Sequence, residues 1–413
     1  MRLRTMIAAL AASAVLPITG AQATDLEVTH WWTSGGEAAA VAEFAKAFDN
    51  DGAGDHWVDG AIAGSGGVAR PIMISRITGG DPMGATQFNH GRQAEELVQA
   101  GLMRDLTDLA DKEGWRDAIG DPKLLDSCTL DGKVYCVPVN IHSWQWLWLN
   151  RHVYEDNGLA VPTNWEEFVS TAPALREKGI IPLAMGNQPW QSSGAFNVMA
   201  IALTGVDNFL AVNRDKDAEV AAGPAYARLF KAAADARDLR QGSNVQDWNQ
   251  ATSMVITGKA AGQIMGDWAQ GEFAVAGKVA GVDYDCLPGL GTNPIVSTDG
   301  DAFYFPKLDD PDKSAAQLRL ASVMFSKEAQ VAFNLKKGSM PIRTDVDLAQ
   351  ANACMKKGIA LLKEGKIAPS TNQLLSPDTS GQIEDLMTEF WSSDSMSAED
   401  AQKRYAEIIA NAD

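Results

Sequence analysis

From residue 25 onward the chain alternates short strand-like segments with helical segments, and this alternation limits the folds open to it. The segments LEVTHWW, HWVDGAIA and GATQF are typical of strands, and helical segments fill the intervals between them. A β-α-β-α-β order predicts a mostly parallel sheet with helices on its faces. The alternation resumes after residue 150, with a helix expected from Trp165 to Glu177. Two such units fit better than one large sheet, because VPVNIHSW near residue 140 and STDGDAF near residue 300 both look like extended segments that cross between them.

The first strand-to-helix turn carries two adjacent tryptophans, Trp31 and Trp32. Neighbours on a strand point to opposite faces, so at most one of them can join the core unless the strand has already ended. Ser34 and Glu37 have the spacing of a capping box, which predicts the start of a helix. In open α/β sheets, ligands bind beside such turns, where helix N-termini offer free N–H groups.

The N-terminus has the features of a cleavable secretory signal over residues 1–23. Arg2 and Arg4 precede an apolar run, and Ala21-Gln22-Ala23 matches a signal-peptidase site. No later run is long and apolar enough to span a membrane. The net charge of −18 argues against nucleic-acid and anionic-membrane partners. We therefore expect a periplasmic protein that is not embedded in the membrane.

Four cysteines in an oxidising compartment allow two disulfides. Cys128 and Cys136 flank TLDGKVY, and a three-residue loop centred on Gly132 would place them opposite each other. The pair Cys286 and Cys354 then follows by elimination. Two close cysteines without a nearby histidine cluster do not have zinc spacing, so we expect no metal site and no cofactor.

Several tryptophans stand where turns are expected. Trp32, Trp190 and Trp268 each follow a predicted strand beside polar or glycine-rich neighbours, and we expect Trp268 to lie at the rim of the sheet rather than in the core. Of the three tryptophans at 144, 146 and 148, we expect two to be buried. Flat indole faces suit the C–H face of a pyranose ring. Hydrogen bonds to the sugar hydroxyls could come from Asn89, His142, Gln188, Asp267 and Asp299.

Enzymatic chemistry fits the sequence less well than binding. Asp299 and Asp301 have the residue types of a glycosidase pair, but we expect their side chains to point in opposite directions. A GxGxxA segment from Gly64 resembles a dinucleotide fingerprint only superficially, and nicotinamide cofactors are not expected outside the cytoplasm. We predict no catalytic residues and no enzyme activity, and a secreted glycosidase or lyase remains a rival interpretation.

Five segments together resemble one family: HWWTSGGE, VPVNIHSWQWLWLN, IPLAMGNQPWQ, MGDWAQGE and KKGSMPIR. They look like the periplasmic solute-binding proteins of carbohydrate ABC importers, closest to the glucose- and galactose-binding branch and distantly similar to maltose-binding protein. The resemblance implies a two-lobed α/β fold, each lobe a mostly parallel sheet flanked by helices, with a ligand cleft between lobes that close by hinge bending. It predicts an N-terminal lobe of residues 24–138 and 299–345 and a C-terminal lobe of residues 139–298 and 346–413.

The resemblance also implies roles for particular residues. Trp31 and Trp32 fall in the first ligand loop, Trp268 stacks on the sugar, and Trp190 takes the place of another aromatic stacker. Asp299 and Lys337 contact sugar hydroxyls, and His142 lies on a crossover from which a polar side chain reaches the ligand. The predicted ligand-binding residues are Trp31, Trp32, Asn89, His142, Trp190, Asp267, Trp268, Asp299 and Lys337.

Two segments depart from the glucose-binding pattern. Gln87-Phe88-Asn89-His90 stands where glucose binders tend to have a lysine, and Thr371-Asn372-Gln373 stands where they have a late histidine. Both changes affect how hydroxyls are recognised. We predict a monomeric protein that binds a small carbohydrate, a monosaccharide such as glucose, and delivers it to an inner-membrane ABC permease. An oligosaccharide or a sugar conjugate is the alternative ligand.

Overall fold

A computed structural model describes residues 23–119 and 123–412 of the chain. The predicted signal sequence, apart from Ala23, lies outside the described residues. Within the described ranges, no helix combines the length and the apolar character needed to cross a membrane.

The strands are short, and most of them belong to two main sheets. In chain order they are β1 (Asp25–His30), β2 (His56–Ala61), β3 (Ala85–Asn89), β4 (Thr129–Leu130), β5 (Lys133–Val134), β6 (Cys136–Pro138), β7 (Trp146–Asn150), β8 (Ile181–Ala184), β9 (Ala260–Ile264), β10 (Tyr284–Pro288), β11 (Val296–Ser297), β12 (Asp301–Tyr304) and β13 (Ile367–Ala368).

Helices connect and cover these strands. They are α1 (Gly35–Asp49), α2 (Ser65–Thr78), α3 (Glu95–Gln99), α4 (Thr107–Lys112), α5 (Trp115–Ala118), α6 (Lys123–Asp126), α7 (Arg151–Glu155), α8 (Trp165–Glu177), α9 (Pro189–Thr204), α10 (Val206–Asn213), α11 (Ala218–Ala221), α12 (Pro224–Leu239), α13 (Trp248–Ile256), α14 (Ala269–Val275), α15 (Pro311–Phe325), α16 (Lys327–Lys337), α17 (Ala353–Lys363), α18 (Thr371–Leu374), α19 (Pro377–Ser392) and α20 (Ala398–Ala410), with 3₁₀ turns at Arg92–Ala94 and Gly289–Gly291.

The first sheet has the strand order β2-β1-β3-β12-β6. β1 pairs in parallel with β2 and β3, as the predicted β-α-β-α-β order requires, and β12 pairs antiparallel with β3 and β6. Helix α1 turns one apolar face to the core beneath this sheet, where Phe44 stacks on Phe333 with ring centres 4.4 Å apart. The helical spacing of the apolar residues in α1 thus determines which face is buried.

The second sheet has the order β10-β7-β9-β8, with β8 and β9 parallel and β7 antiparallel to both neighbours. Its core is separate from the first and contains Phe196, Phe230 and Tyr405, contributed by α9, α12 and α20. Two sheets, each with its own buried core, confirm the predicted two-lobed α/β fold. The residue boundaries given above for the lobes stay a prediction.

Two segments that cross between the lobes lie side by side. The backbone N–H of His142 donates to the carbonyl of Asp299 over 3.0 Å, and the Ser297 N–H donates to Ser143 Oγ over 2.9 Å. A third segment joins them, because Ile141 pairs with Met340. The polar residues of the crossovers are therefore held next to one another at the base of the space between the lobes.

Both predicted disulfides are present. Cys128 is bonded to Cys136 and Cys286 to Cys354, with Cα atoms 5.1 and 6.0 Å apart. The second bond attaches α17 to β10, so it ties the start of the C-terminal helical region to the second sheet.

The predicted three-residue loop beside the first disulfide is wrong. Leu130 pairs with Lys133, which leaves Asp131 and Gly132 as a two-residue loop with φ values of 49° and 76°. Positive φ at both positions is what a type I′ hairpin requires, and Asp-Gly favours it. The hairpin register therefore places Tyr135 opposite the first cysteine, since the Tyr135 N–H donates to the Cys128 carbonyl.

Candidate functional site

A cleft of about 810 Å³ lies between the two lobes. Strand-to-helix turns from both sheets line it, together with the crossover segments. Its size is within the range of pockets that hold small organic ligands. The cleft brings together eight of the nine predicted ligand-binding residues, and Asp267 is the exception.

Three indoles form an aromatic wall on the side of the second sheet. The ring centre of Trp144 lies 4.9 Å from that of Trp268 and 5.4 Å from that of Trp190, both in edge-to-face contact. Gly194 makes room for Trp144, because a Cβ there would fall 2.4 Å from the indole. Trp146 and Trp148 are buried, as expected for two of the three tryptophans at 144, 146 and 148. Trp144 lines the cleft, although it was not among the predicted ligand-binding residues.

Trp268 is more buried than the expected rim position implies. Only 7% of the residue is exposed, and its ring also lies 5.1 Å from His142 and 6.5 Å from Trp248. The indole folds back over Gly266, where a Cβ would come within 2.1 Å of the ring. Trp268 thus lines the cleft and is also part of the packed aromatic cluster of the second lobe.

The two tryptophans of the first turn have different environments. Trp32 is 1% exposed and packs against Phe303 and Phe333 in the core of the first lobe. Trp31 is half-buried in the cleft, and its backbone N–H donates to Gln87 Oε1 over 3.0 Å. Trp32 is therefore a buried core residue at the bottom of the cleft, whereas the indole of Trp31 is accessible.

Lys337 lies over the ring of Trp32. Its Nζ is 4.9 Å from the centre of the Trp32 ring and 2.5 Å from Glu37 Oε1. One half of the predicted capping box is confirmed, since Ser34 Oγ accepts from the Glu37 N–H. The Glu37 carboxylate accepts from the Ser34 hydroxyl and from Lys337 Nζ. One ammonium donor is used by Glu37, so the remaining donors can serve a ligand hydroxyl.

Asp299 and Asp301 contact the same histidine. His142 Nε2 lies 3.5 Å from Asp299 Oδ2, and His142 Nδ1 lies 3.2 Å from Asp301 Oδ2. The expectation that the two carboxylates point in opposite directions is wrong, because residues i and i+2 of an extended segment lie on the same face. The three side chains form a buried cluster of one cation and two anions.

Electrostatics keeps this cluster ionised at neutral pH. Burial by itself would lower the pKa of His142, but the carboxylates of Asp301 and Asp299 outweigh it and raise that pKa to about 10. Burial would raise the pKa of both carboxyls, and the His142 charge instead holds both below their ordinary range. Both ring N–H groups of His142 face carboxylates, so His142 orients Asp299 and Asp301, and its predicted contact with the ligand stays a prediction.

The two segments that depart from the glucose-binding pattern take part in this cluster. Asn372 Nδ2 donates to Asp299 Oδ2, and Gln87 Nε2 donates to Asp301 Oδ1, each over 2.8 Å. The side-chain amide of half-buried Asn89 has no hydrogen bond to any described residue, although the backbone N–H of Asn89 donates to Gln93 Oε1 over 3.0 Å, and the residue lines the cleft. Asn89 is thus available to a ligand, whereas Asn372 fixes the orientation of a carboxylate.

Asp267 is not among the residues that line the cleft, and its predicted role as a ligand residue stays a prediction. Its Oδ2 accepts the Ser143 N–H over 2.9 Å, and its own N–H donates to the Ser143 carbonyl over 2.9 Å. Burial raises the pKa of Asp267 to about 8, against the influence of His142 and the Ser143 N–H. The residue ties the first crossover to the turn that precedes Trp268.

Comparisons with known proteins agree with this architecture. The family model of the bacterial extracellular solute-binding proteins matches residues 75–360. A "probable sugar-binding periplasmic protein" of Brucella melitensis biotype 1 is 38% identical over 351 residues, which cover 84% of this chain and 82% of that protein. A protein of the same name from Rhizobium meliloti is 39% identical over 366 residues, covering 87% and 85%.

Solved structures match the fold over nearly the whole chain. The bacterial solute receptor AcbH superposes with a TM-score of 0.77 at 19% identity, covering 94% of this chain and 98% of that one. A chitin oligosaccharide binding protein gives 0.76 at 18% identity, covering 94% and 98%. The family predicted from the five sequence segments is confirmed: the chain belongs to the bacterial extracellular solute-binding proteins.

Proposed function

We propose that the protein binds a small carbohydrate in the periplasm and delivers it, as a monomer without a cofactor, to the inner-membrane permease of an ABC importer. The observation that carries this proposal is the combination of indoles and polar groups in one cleft. Trp190 and Trp268 offer apolar surface for the C–H groups of a sugar ring. Asn89, Asp299 and Lys337 offer donors and acceptors for its hydroxyls.

The relatives support a sugar rather than another solute. The Brucella and Rhizobium proteins are named as sugar-binding, and AcbH is described as having an exclusive substrate preference for β-D-galactopyranose. The chitin oligosaccharide binding protein has a longer ligand on the same fold. We propose that the indoles hold one pyranose unit such as glucose, and an oligosaccharide or a sugar conjugate is the alternative for the whole ligand.

The charge states of Asp299 and Asp301 favour binding over glycoside hydrolysis by this pair. A glycosidase needs one carboxyl that is protonated and can act as an acid. Asp299 and Asp301, the pair with the residue types of a glycosidase, are both held ionised by His142, so neither can serve as the acid. A carrier fits this arrangement better than a secreted glycosidase or lyase.

A thermal-shift screen tests the proposal. The melting temperature of the mature protein is measured with glucose, galactose, xylose, maltose and cellobiose, and with amino acids as the non-sugar class. A ligand at a concentration of about a hundred times its Kd stabilises the native state by about 2.7 kcal/mol, which raises the melting temperature by several degrees. Stabilisation by amino acids and by none of the sugars would contradict the proposal.

Two tryptophan variants link the shift to the cleft. Trp190→Ala should remove most of the stabilisation by sugar, since Trp190 is half-buried in the cleft. Trp57→Ala is the matched control, because Trp57 is a half-buried tryptophan of β2 outside the cleft, and it should keep the shift. Chromatography of the disaccharides after incubation separates a carrier, which returns them intact, from a glycosidase.

A further inference from the structure

Arg70 and Glu384 face each other across a part of the cleft that the groups described above do not occupy. Arg70 belongs to α2 of the first lobe and Glu384 to α19 of the second, and both side chains line the cleft. Both residues are half-buried. Among the residues that the structure describes, neither side chain has a hydrogen bond or an ion pair.

The two charges influence each other without touching. Burial lowers the pKa of Arg70, and the carboxylates of Glu384 and Asp299 act against this effect. Burial raises the pKa of Glu384, and Arg70 acts against it in turn. A guanidinium and a carboxylate that are partly desolvated and not paired are unfavourable unless another molecule completes their hydrogen bonds.

The space between them is long enough for a group beyond the first sugar ring. On α2 the cleft is lined from Ser65 to Ile74, and on α19 from Pro377 to Asp385, which is about 12–14 Å of helix in each case. A Cβ added at Gly67 or Gly381 would have no neighbour within 4 Å. Both glycines line the cleft, so space for a ligand group remains beside each of these helices.

Trp31 connects this region to the rest of the cleft. A Cβ placed on Gly66 would lie 3.1 Å from Arg70 Nη1 and 3.5 Å from Trp31 Cε2, so the guanidinium and the indole both lie beside this glycine. An aromatic surface beside a charged hydrogen-bond donor offers a sugar both an apolar face for its C–H groups and a donor for a hydroxyl.

The chemistry of the pair indicates a neutral ligand with hydroxyl groups. The guanidinium donates hydrogen bonds and accepts none, and the carboxylate accepts them. Neighbouring hydroxyls of a sugar can satisfy both groups at once. The opposite charges cancel, so a charged substituent would leave one of the two groups without compensation.

We propose that Trp31, Arg70 and Glu384 form an outer sugar subsite, so that the preferred ligand is a carbohydrate of two or more sugar units. This inference rests on the proposed function, because it assigns a second unit to a ligand whose first unit is a pyranose held by Trp190 and Trp268. Glu384 and Arg70 come from different lobes, so the second unit contacts both lobes.

The test compares each monosaccharide with disaccharides that contain it, by titration calorimetry on the mature protein: glucose against maltose and cellobiose, galactose against melibiose, and xylose against xylobiose. We expect the wild-type protein to bind one disaccharide at least tenfold more tightly than its monosaccharide. Arg70→Gln and Glu384→Gln should remove that tenfold gain and leave the affinity for the monosaccharide within twofold. Arg228→Gln, a substitution of an exposed arginine on α12, is the matched control and should change neither affinity.

A steric variant tests the same subsite without altering charge. Gly381→Leu fills the open space on α19, and leucine is a better helix former than glycine, so folding should not suffer. It should remove the preference for the disaccharide as the charge variants do. If Arg70→Gln does not fold, Gly381→Leu alone decides the outcome.

Several results would overturn the outer subsite. Equal affinity of the wild-type protein for every monosaccharide and its disaccharides would overturn it. An equal loss of affinity for monosaccharides and disaccharides in Arg70→Gln would also overturn it, because Arg70 and Glu384 would then hold the closed lobes together. In both cases the binding of sugars would still support the proposed function. Failure to bind any carbohydrate would instead overturn the proposed function and the subsite together.

Discussion

Replacing His142 tests the buried cluster that orients the carboxylates of the cleft. In His142→Gln the cation is lost, and Asp299 and Asp301 keep only neutral donors such as Asn372 and Gln87. Removing one partner of a buried ion pair costs about 3–5 kcal/mol, because the other charge stays buried without compensation. The variant should therefore fold with much reduced stability.

The raised pKa of His142 predicts a loss of stability of the same order of magnitude, and it also predicts that this loss depends on pH. The pKa is about 10 in the folded protein against 6.5 for the unfolded chain, so the folded state holds an extra proton between these values. The stabilisation is complete below pH 6.5 and is lost as the pH rises through 10. At about 1.4 kcal/mol for each pH unit, it amounts to about 4 kcal/mol at pH 7 and about 1.5 kcal/mol at pH 9.

Urea unfolding followed by tryptophan fluorescence measures this difference at both pH values. The free-energy gap between the wild-type protein and His142→Gln should shrink from pH 7 to pH 9. His152→Gln is the control, because the exposed His152 side chain pairs with Asp283 at the surface and should contribute less than about 1 kcal/mol. An equal gap at pH 7 and pH 9 would refute the argument that His142 is a buried cation.

Two further substitutions test packing and covalent structure. Gly266→Ala should weaken sugar binding at least tenfold and change the tryptophan fluorescence, because the added Cβ would lie 2.1–2.4 Å from ring atoms of Trp268 and displace the indole. Unchanged affinity would show that this ring does not contact the ligand. Replacing Cys286 and Cys354 by serine should lower the free energy of unfolding by about 4 kcal/mol, since their bond closes a long loop with a sequence separation of 68. Peptide mapping of exported protein without reductant should recover the two cysteines in one linked fragment, and free thiols would contradict the pairing.

Local features of this protein could be predicted from the sequence. The helix expected from Trp165 to Glu177 has these bounds in the structure, and Ser34 is the N-cap of α1. The order of the first three strands, both disulfides and the family were also predicted correctly. These signals are readable because a cap, a helical period or a hairpin turn depends on residues within a few positions of one another.

The two tryptophans of the first turn show where sequence reasoning stops. Alternation along a strand predicts that one of Trp31 and Trp32 can be buried, and it does not say which. The structure buries Trp32 because Phe303 of β12 and Phe333 of α16 lie beneath it, and these residues come from the other end of the chain. Trp31 is left at the cleft.

The electrostatic partners in the cleft were decided by tertiary structure alone. Glu37 and Lys337 are 300 positions apart, and Asp301 is 159 positions from His142. Arg70 and Glu384 face each other only because α2 and α19 line opposite sides of one cleft. Burial and Coulomb interaction depend on distances in space, so a pairing between two lobes leaves no periodic signal along the chain.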